Sequence, residues 1–256
     1  MSPLRSILVH VDDMAHTSAR LRIANRLAEQ HDAQVTALYV AMPPFMQFSM
    51  TYASGADVVP IMQDYEAQRR QRARALFDET VAVGMPRVRW VEVSGEPTWV
   101  MSRHALLADL LVLGQRDTKT ERDSGLPFDF VESVLLASGK PALVIPTIRV
   151  VEPVGRIALV AWKETREAGR ALAAAMPLLQ RAEKVHVAIW DDSSLQQAGE
   201  APLDIAQALR EHGVPAEVHH HGPAARAAGA FLLSRATDLG AGLLGMGCYG
   251  HGRARA

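Results

Sequence analysis

The sequence predicts an α/β protein built from two tandem, doubly wound parallel-sheet domains, the first five-stranded and the second lacking its last helix and strand. Three observations carry that prediction. Strand-like and helix-like runs alternate along the 256 residues, the pattern of a parallel sheet with helical crossovers on both faces. Four segments recur in the same order: 6–13 returns as 157–163, the strand 35–40 as 185–190, 84–93 as 213–219 and 108–114 as 241–247. Between the two series, Pro146 and Pro153 bracket a short connector, which places the domains at 1–148 and 153–256.

In the first domain, residues 7–11 (Ile-Leu-Val-His-Val) are apolar at nearly every position, as in a strand covered on both faces. Residues 17–31 then space Ala19, Leu21, Ile23, Ala24, Leu27 and Ala28 for one face of a helix, with Arg20, Arg22, Arg26 and Glu29 turned outward. Thr17 or Ser18 is suited to cap its start. The second strand, 35–40, leads into a Met-, Pro- and Phe-rich connection at 41–59 that is unusually apolar for a loop. A charged helix at about 60–83, strand 87–93, helix 97–108, strand 110–113, a polar loop at 114–127, helix 128–138 and strand 142–146 complete the domain.

The second domain reads as strand 156–161, helix 164–180, strand 185–190, helix 200–212, strand 216–220, helix 224–239 and strand 242–246. The chain stops at Ala256, where the first series still has a helix and a strand.

An apolar fraction of 48% and a charged fraction of 21% are ordinary for a globular protein with two cores. A net charge of −1 gives no general attraction to nucleic acid or to an anionic membrane. No apolar run approaches the ~18 residues that cross a bilayer, and the first strand begins too early for a signal peptide. The single cysteine, Cys248, excludes an internal disulfide and fits a reducing, cytoplasmic setting.

Ligands of such sheets collect beyond the carboxyl ends of the strands. Asp12 and Asp13 directly follow strand one. An acid there can accept hydrogen bonds from a ribose or help hold a cation, and it can equally be a solvated loop acid or a helix cap. Residues 247–253 (Gly-Cys-Tyr-Gly-His-Gly-Arg) follow the fourth strand of the second domain. Closely spaced glycines admit backbone N–H groups to a phosphate, and Arg253 adds charge-assisted bonds; a plain glycine-rich turn has the same composition. His219, His220 and His221 alternate between the faces of a strand and cannot readily ligate one metal together, so they read as a strand end. Cys248 reads as an inert small residue, and Arg69, Arg70 and Arg72 as the solvated face of a helix.

These motifs resemble the universal stress protein family, in a tandem-domain version. The likeness rests on the strand-one signature ending in Val11-Asp12, on Trp162-Lys-Glu-Thr-Arg-Glu-Ala168, on residues 243–253 and on 128–146 as a closing segment. It implies a fold of five parallel strands per domain, dimerisation as a pseudo-dimer within one chain or as a homodimer, and no catalysis. ATP is the ligand it implies, held by an acid after strand one, a backbone contact after strand two and a GxxG–nine residues–G(S/T) loop after strand four. Carried over, Asp12 is the acid, Val40 the strand-two position and Gly114 the first glycine. Asp117 stands in place of the second glycine, and Pro127-Phe128-Asp129 in place of G(S/T). In the second domain Gly247 and Gly250 match the glycines, with Gly252 and Arg253 behind them, while Lys163 replaces the acid. The resemblance therefore implies a degenerate ATP site in the first domain and a partial one in the second, with no metal beyond a nucleotide-associated Mg.

Three other readings follow from the residues. An interaction module that binds no nucleotide is one, with 41–59 covering a partner or a neighbouring helix. An ATP-using α/β enzyme is another, although neither a Ser/Gly-rich loop nor a paired-His motif follows strand one. A phosphoacceptor receiver lacks an Asp at the end of strand three.

Overall fold

Strand β1 (Ser6–Val11) lies in the middle of its sheet because it has no polar face to give to water; every residue after Ser6 is buried. It pairs in parallel with β2 (Gln34–Ala41) on one side and β4 (Leu110–Gly114) on the other. β3 (Val88–Ser94) joins β2, and β5 (Ala142–Ile145) joins β4, giving the order β3-β2-β1-β4-β5. The direction of winding reverses between β2 and β4, so the ligand crevice of this topology opens at the carboxyl end of β1. The computed structural model describes residues 4–43, 58–82, 84–116, 125–147, 154–190, 201–221 and 228–248, and the chain divides into two units, Met1–Val150 and Val151–Ala256.

Helix α1 (Thr17–His31) buries Leu21, Ile23, Ala24, Leu27 and Ala28, as the helical spacing predicts. Arg20 departs from that reading: it is not turned outward but is only 3% exposed. Neither expected residue caps α1. Its N-cap, His16, makes no side-chain cap bond, because the Thr17 hydroxyl is bonded to Asp12 instead. Helix α2 (Val58–Val81) runs beside α1 and is followed by α3 (Pro97–Ala105) and α4 (Phe130–Ser138). Glu96 starts α3 by accepting from the Thr98 and Trp99 N–H groups, with Pro97 in the first turn where its missing N–H costs nothing. Leu38, Met101, Leu111, Leu113, Phe130 and Val134 join the strands to α3 and α4 in one apolar cluster.

The second unit holds β6 (Ile157–Trp162), α5 (Arg166–Leu179), β7 (Lys184–Trp190), α6 (Ile205–Glu211), β8 (Ala216–His221), α7 (Ala228–Asp238) and β9 (Leu243–Met246). Its four described strands take the order β8-β7-β6-β9, which repeats β3-β2-β1-β4 of the first unit. Gly84 and Gly213 occupy matching places before β3 and β8, and both need the left-handed backbone, at φ +99° and +74°. Several helices are shorter than their patterns suggest: 200–212 narrows to Ile205–Glu211 and 97–108 to Pro97–Ala105, with turns at the ends. Most of the apolar connection 41–59 and of the loop 114–127 lies outside the described residues. Among the described residues, no helix is long and apolar enough to cross a membrane.

Candidate functional site

The register of the sheet gathers the expected site residues of the first unit. β1 and β2 pair from Ser6↔Gln34 to Val11↔Tyr39, so Asp12 and Val40 are the next residues on adjacent strands. Val40 is buried and paired with Val93 on its other side. β4 ends at Gly114, alongside the end of β1.

What meets Asp12 there is the protein itself. Asp12 Oδ1 accepts from the Thr17 hydroxyl at 2.6 Å and the Met14 N–H at 3.1 Å, and it pairs with Arg20 Nη2 at 2.7 Å. Arg20 is fixed in turn: Nε donates to the His10 carbonyl at 3.0 Å and Nη2 to the Thr17 hydroxyl at 2.7 Å. Burial would raise the Asp12 carboxyl, but the Arg20 guanidinium, with His10 and the hydrogen bonds, holds it down at about 2. Burial lowers the neighbouring His10 to about 4 against the pull of Asp12, so its imidazole is neutral at pH 7, packed 5.0 Å from the Phe130 ring. Gly114 belongs to the same arrangement, because a Cβ on it would overlap Arg20 Nη1. In this unit the missing side chain makes room for a guanidinium.

Asp13 is engaged from the other side. Arg72 of α2 donates Nη2 and Nε to Asp13 Oδ2 at 2.7 and 3.0 Å, and Arg69 Nε reaches Oδ1 at 3.4 Å. Arg69 also pairs with Glu66, which accepts the Tyr39 hydroxyl at 2.7 Å. The solvated-face reading of 69–72 therefore fails for Arg69, which is 5% exposed, and holds for Arg70, which pairs with Glu92 at the surface. The failure has a tertiary cause: α2 packs against α1 and β2 and so brings Arg69 and Arg72 to Asp13 after β1, where two adjacent buried acids require cations. Phe128 lies on the surface, 80% exposed, under the Arg116 guanidinium.

The second unit offers a different cleft. Counting equally from Leu8 and Leu159, which hold the same place in β1 and β6, Asp12 falls on Lys163; α5 then begins two residues sooner than α1, so Arg20, fourth in α1, corresponds to Gly169, fourth in α5. Gly247 follows β9 as Gly114 ends β4. A Cβ on Gly247 would lie 2.6 Å from the Ala168 nitrogen, so the glycine admits the first turn of α5 itself. Thr165 caps that turn, accepting from the Ala168 N–H at 3.3 Å. Gly250, Gly252 and Arg253 lie outside the described residues. Partial burial pushes the Cys248 thiol up, away from reactivity.

Sequence reasoning missed one cluster. β8 places Glu217 and His219 on one face, and β7 supplies His186 beside them. The spacing of Glu217 and His219 by two residues on a strand was the available signal.

The sequence model described as the universal stress protein family matches residues 3–146. Among solved structures, a universal stress protein from Archaeoglobus fulgidus is 15% identical, covering 93% of this chain and 85% of that one with a TM-score of 0.66. A putative universal stress protein from Pseudomonas aeruginosa is 15% identical over 93% of this chain and 80% of its own, with a TM-score of 0.56. A functionally unknown protein from Pseudomonas aeruginosa is 16% identical over 93% and 79%, with a TM-score of 0.55. No curated protein gives a significant match.

Proposed function

Because the chain belongs to the universal stress protein family, we propose that it is a non-catalytic stress-response protein in which the second unit, not the first, takes an adenine nucleotide. The observation that carries this reading is the Asp12–Arg20 pair. An acid that is 6% exposed, with Oδ1 meeting Thr17, Met14 and Arg20 and Oδ2 facing His10 Nδ1 at 3.8 Å, is turned to the protein and away from a ribose. The guanidinium also occupies the space beside Gly114 that a ligand would need.

The second unit differs at both positions. Gly169 stands in the place of Arg20, Lys163 stands in place of the acid, and Gly247 sits against the capped first turn of α5, whose positive end suits a phosphate. Gly250, Gly252 and Arg253 would complete the cradle, with Mg accompanying the nucleotide. The repeated unit supports a pseudo-dimer within one chain, and the single cysteine supports a reducing, cytoplasmic setting.

Equilibrium dialysis with labelled ATP tests the assignment. Binding of one equivalent is expected, weakened in Lys163→Ala and Arg253→Ala and unaltered in Asp12→Asn. Loss of binding in Asp12→Asn alone, or steady release of ADP or AMP by the purified chain, would refute it.

A further inference from the structure

We propose that His186, Glu217 and His219 form a binding site for a divalent transition-metal ion of the zinc class at the edge of the second sheet. The parallel register pairs His186 with Glu217 and Ala188 with His219, so one residue of β7 and two of β8 converge on the same face. His186 Nδ1 lies 2.9 Å from His219 Nε2, and Glu217 brings Oε2 to 3.5 Å from the first ring and Oε1 to 3.8 Å from the second. Donor atoms bound tetrahedrally at ~2.0–2.1 Å stand ~3.4 Å apart, and the three separations bracket that spacing. Two nitrogens and one oxygen are the donor set of a zinc-class ion with a fourth position left to water.

The cluster also has the rigidity that such a site needs. His186 is 2% exposed and fixed by the strand pairing, His219 is half-buried, and Glu217 is exposed at the sheet edge, which gives the ion a path in. Without an ion, the two rings can share only one hydrogen between the facing nitrogens, so one donates and the other accepts. A metal replaces that hydrogen and uses both lone pairs. Two cations oppose the ion. Lys184 pairs with Glu217 at 2.9 Å, but both side chains are more than half exposed and the pair is weak in water. Arg235, on the helix α7, acts on His186 from farther off. His220 points to the opposite face and His221 packs against Trp190 and Phe231, so neither belongs to the site.

The full chain, stripped by a chelator and titrated with zinc chloride against a chromophoric competitor, is expected to bind one equivalent. Affinity falls on the order of 10-fold or more in His219→Ala and in Glu217→Gln and is unchanged in His220→Ala. Glu217 and His220 are exposed and His219 is half-buried, and circular dichroism of each variant verifies its fold. Cobalt in place of zinc gives intense visible bands of tetrahedral coordination, which His219→Ala loses. Failure to bind an equivalent, or equal affinity in the wild type, His219→Ala and Glu217→Gln, overturns the proposal.

Discussion

Replacing Arg20 by leucine removes the cation that neutralises Asp12 while keeping most of the volume beside Gly114. Both partners are nearly sealed from water, with side-chain exposures of 4% and 8%. Deleting one member of a buried pair leaves the other charge uncompensated, a loss of about 3–5 kcal/mol. The pH dependence gives a second check. Asp12 titrates near 2 in the folded protein against an ordinary 3.8. That gap is worth about 2 kcal/mol of stability, fully present above pH ~3.8 and lost as pH falls through ~2. Without Arg20, burial becomes the ruling influence and carries the Asp12 carboxyl above 3.8, so its contribution changes sign. The variant is then penalised most at neutral pH and recovers relative to wild type as acid protonates Asp12. Hydrogen exchange of the β1 amides in urea reads the first unit separately from the second. Adding Asp12→Asn to Arg20→Leu is expected to restore part of the loss. A difference below about 1 kcal/mol at pH 7, or one that does not shrink towards pH 4, would refute the assignment of a buried pair.

Three further outcomes follow from the same geometry. His10 titrates near 4 instead of 6.5, so it contributes about 3 kcal/mol that is fully present above pH 6.5 and lost as pH falls through about 4; urea midpoints of wild type and His10→Phe between pH 7 and 4.5 should diverge, the wild type falling more steeply. Gly247→Ala places a methyl 2.6 Å from the Ala168 nitrogen and is expected to destabilise the second unit by about 1–3 kcal/mol, seen as faster exchange of β6 amides with β1 unaffected. Leu111→Ala opens a cavity in the fully buried first core and should cost about 2–5 kcal/mol in urea unfolding.

The fold was legible because its signals are local. Apolar runs such as 7–11, helical spacing in 17–31 and the recurrence of four segments each specify an element without reference to distant residues. The site was less legible because its partners are set by tertiary packing. Arg20 sits in a helix where arginine ordinarily faces water, and only the approach of Gly114 and the His10 carbonyl shows that its guanidinium turns inward. Arg69 and Arg72 read as part of a charged helix until they are seen to reach Asp13 after β1. Glu217 and His219 lie two apart on a strand, a spacing visible in the sequence, but His186 joins them only through the register of β7 with β8.

Photolabelling with ATP carrying an azidoanilide on its γ-phosphate, followed by peptide mapping, tests the central claim most directly. With Arg20 seated on Asp12, label should appear on peptides spanning 163–168 or 243–256, and none on 6–20 or 110–116. Label on 6–20 in the wild-type chain, suppressed by excess ATP, would contradict it.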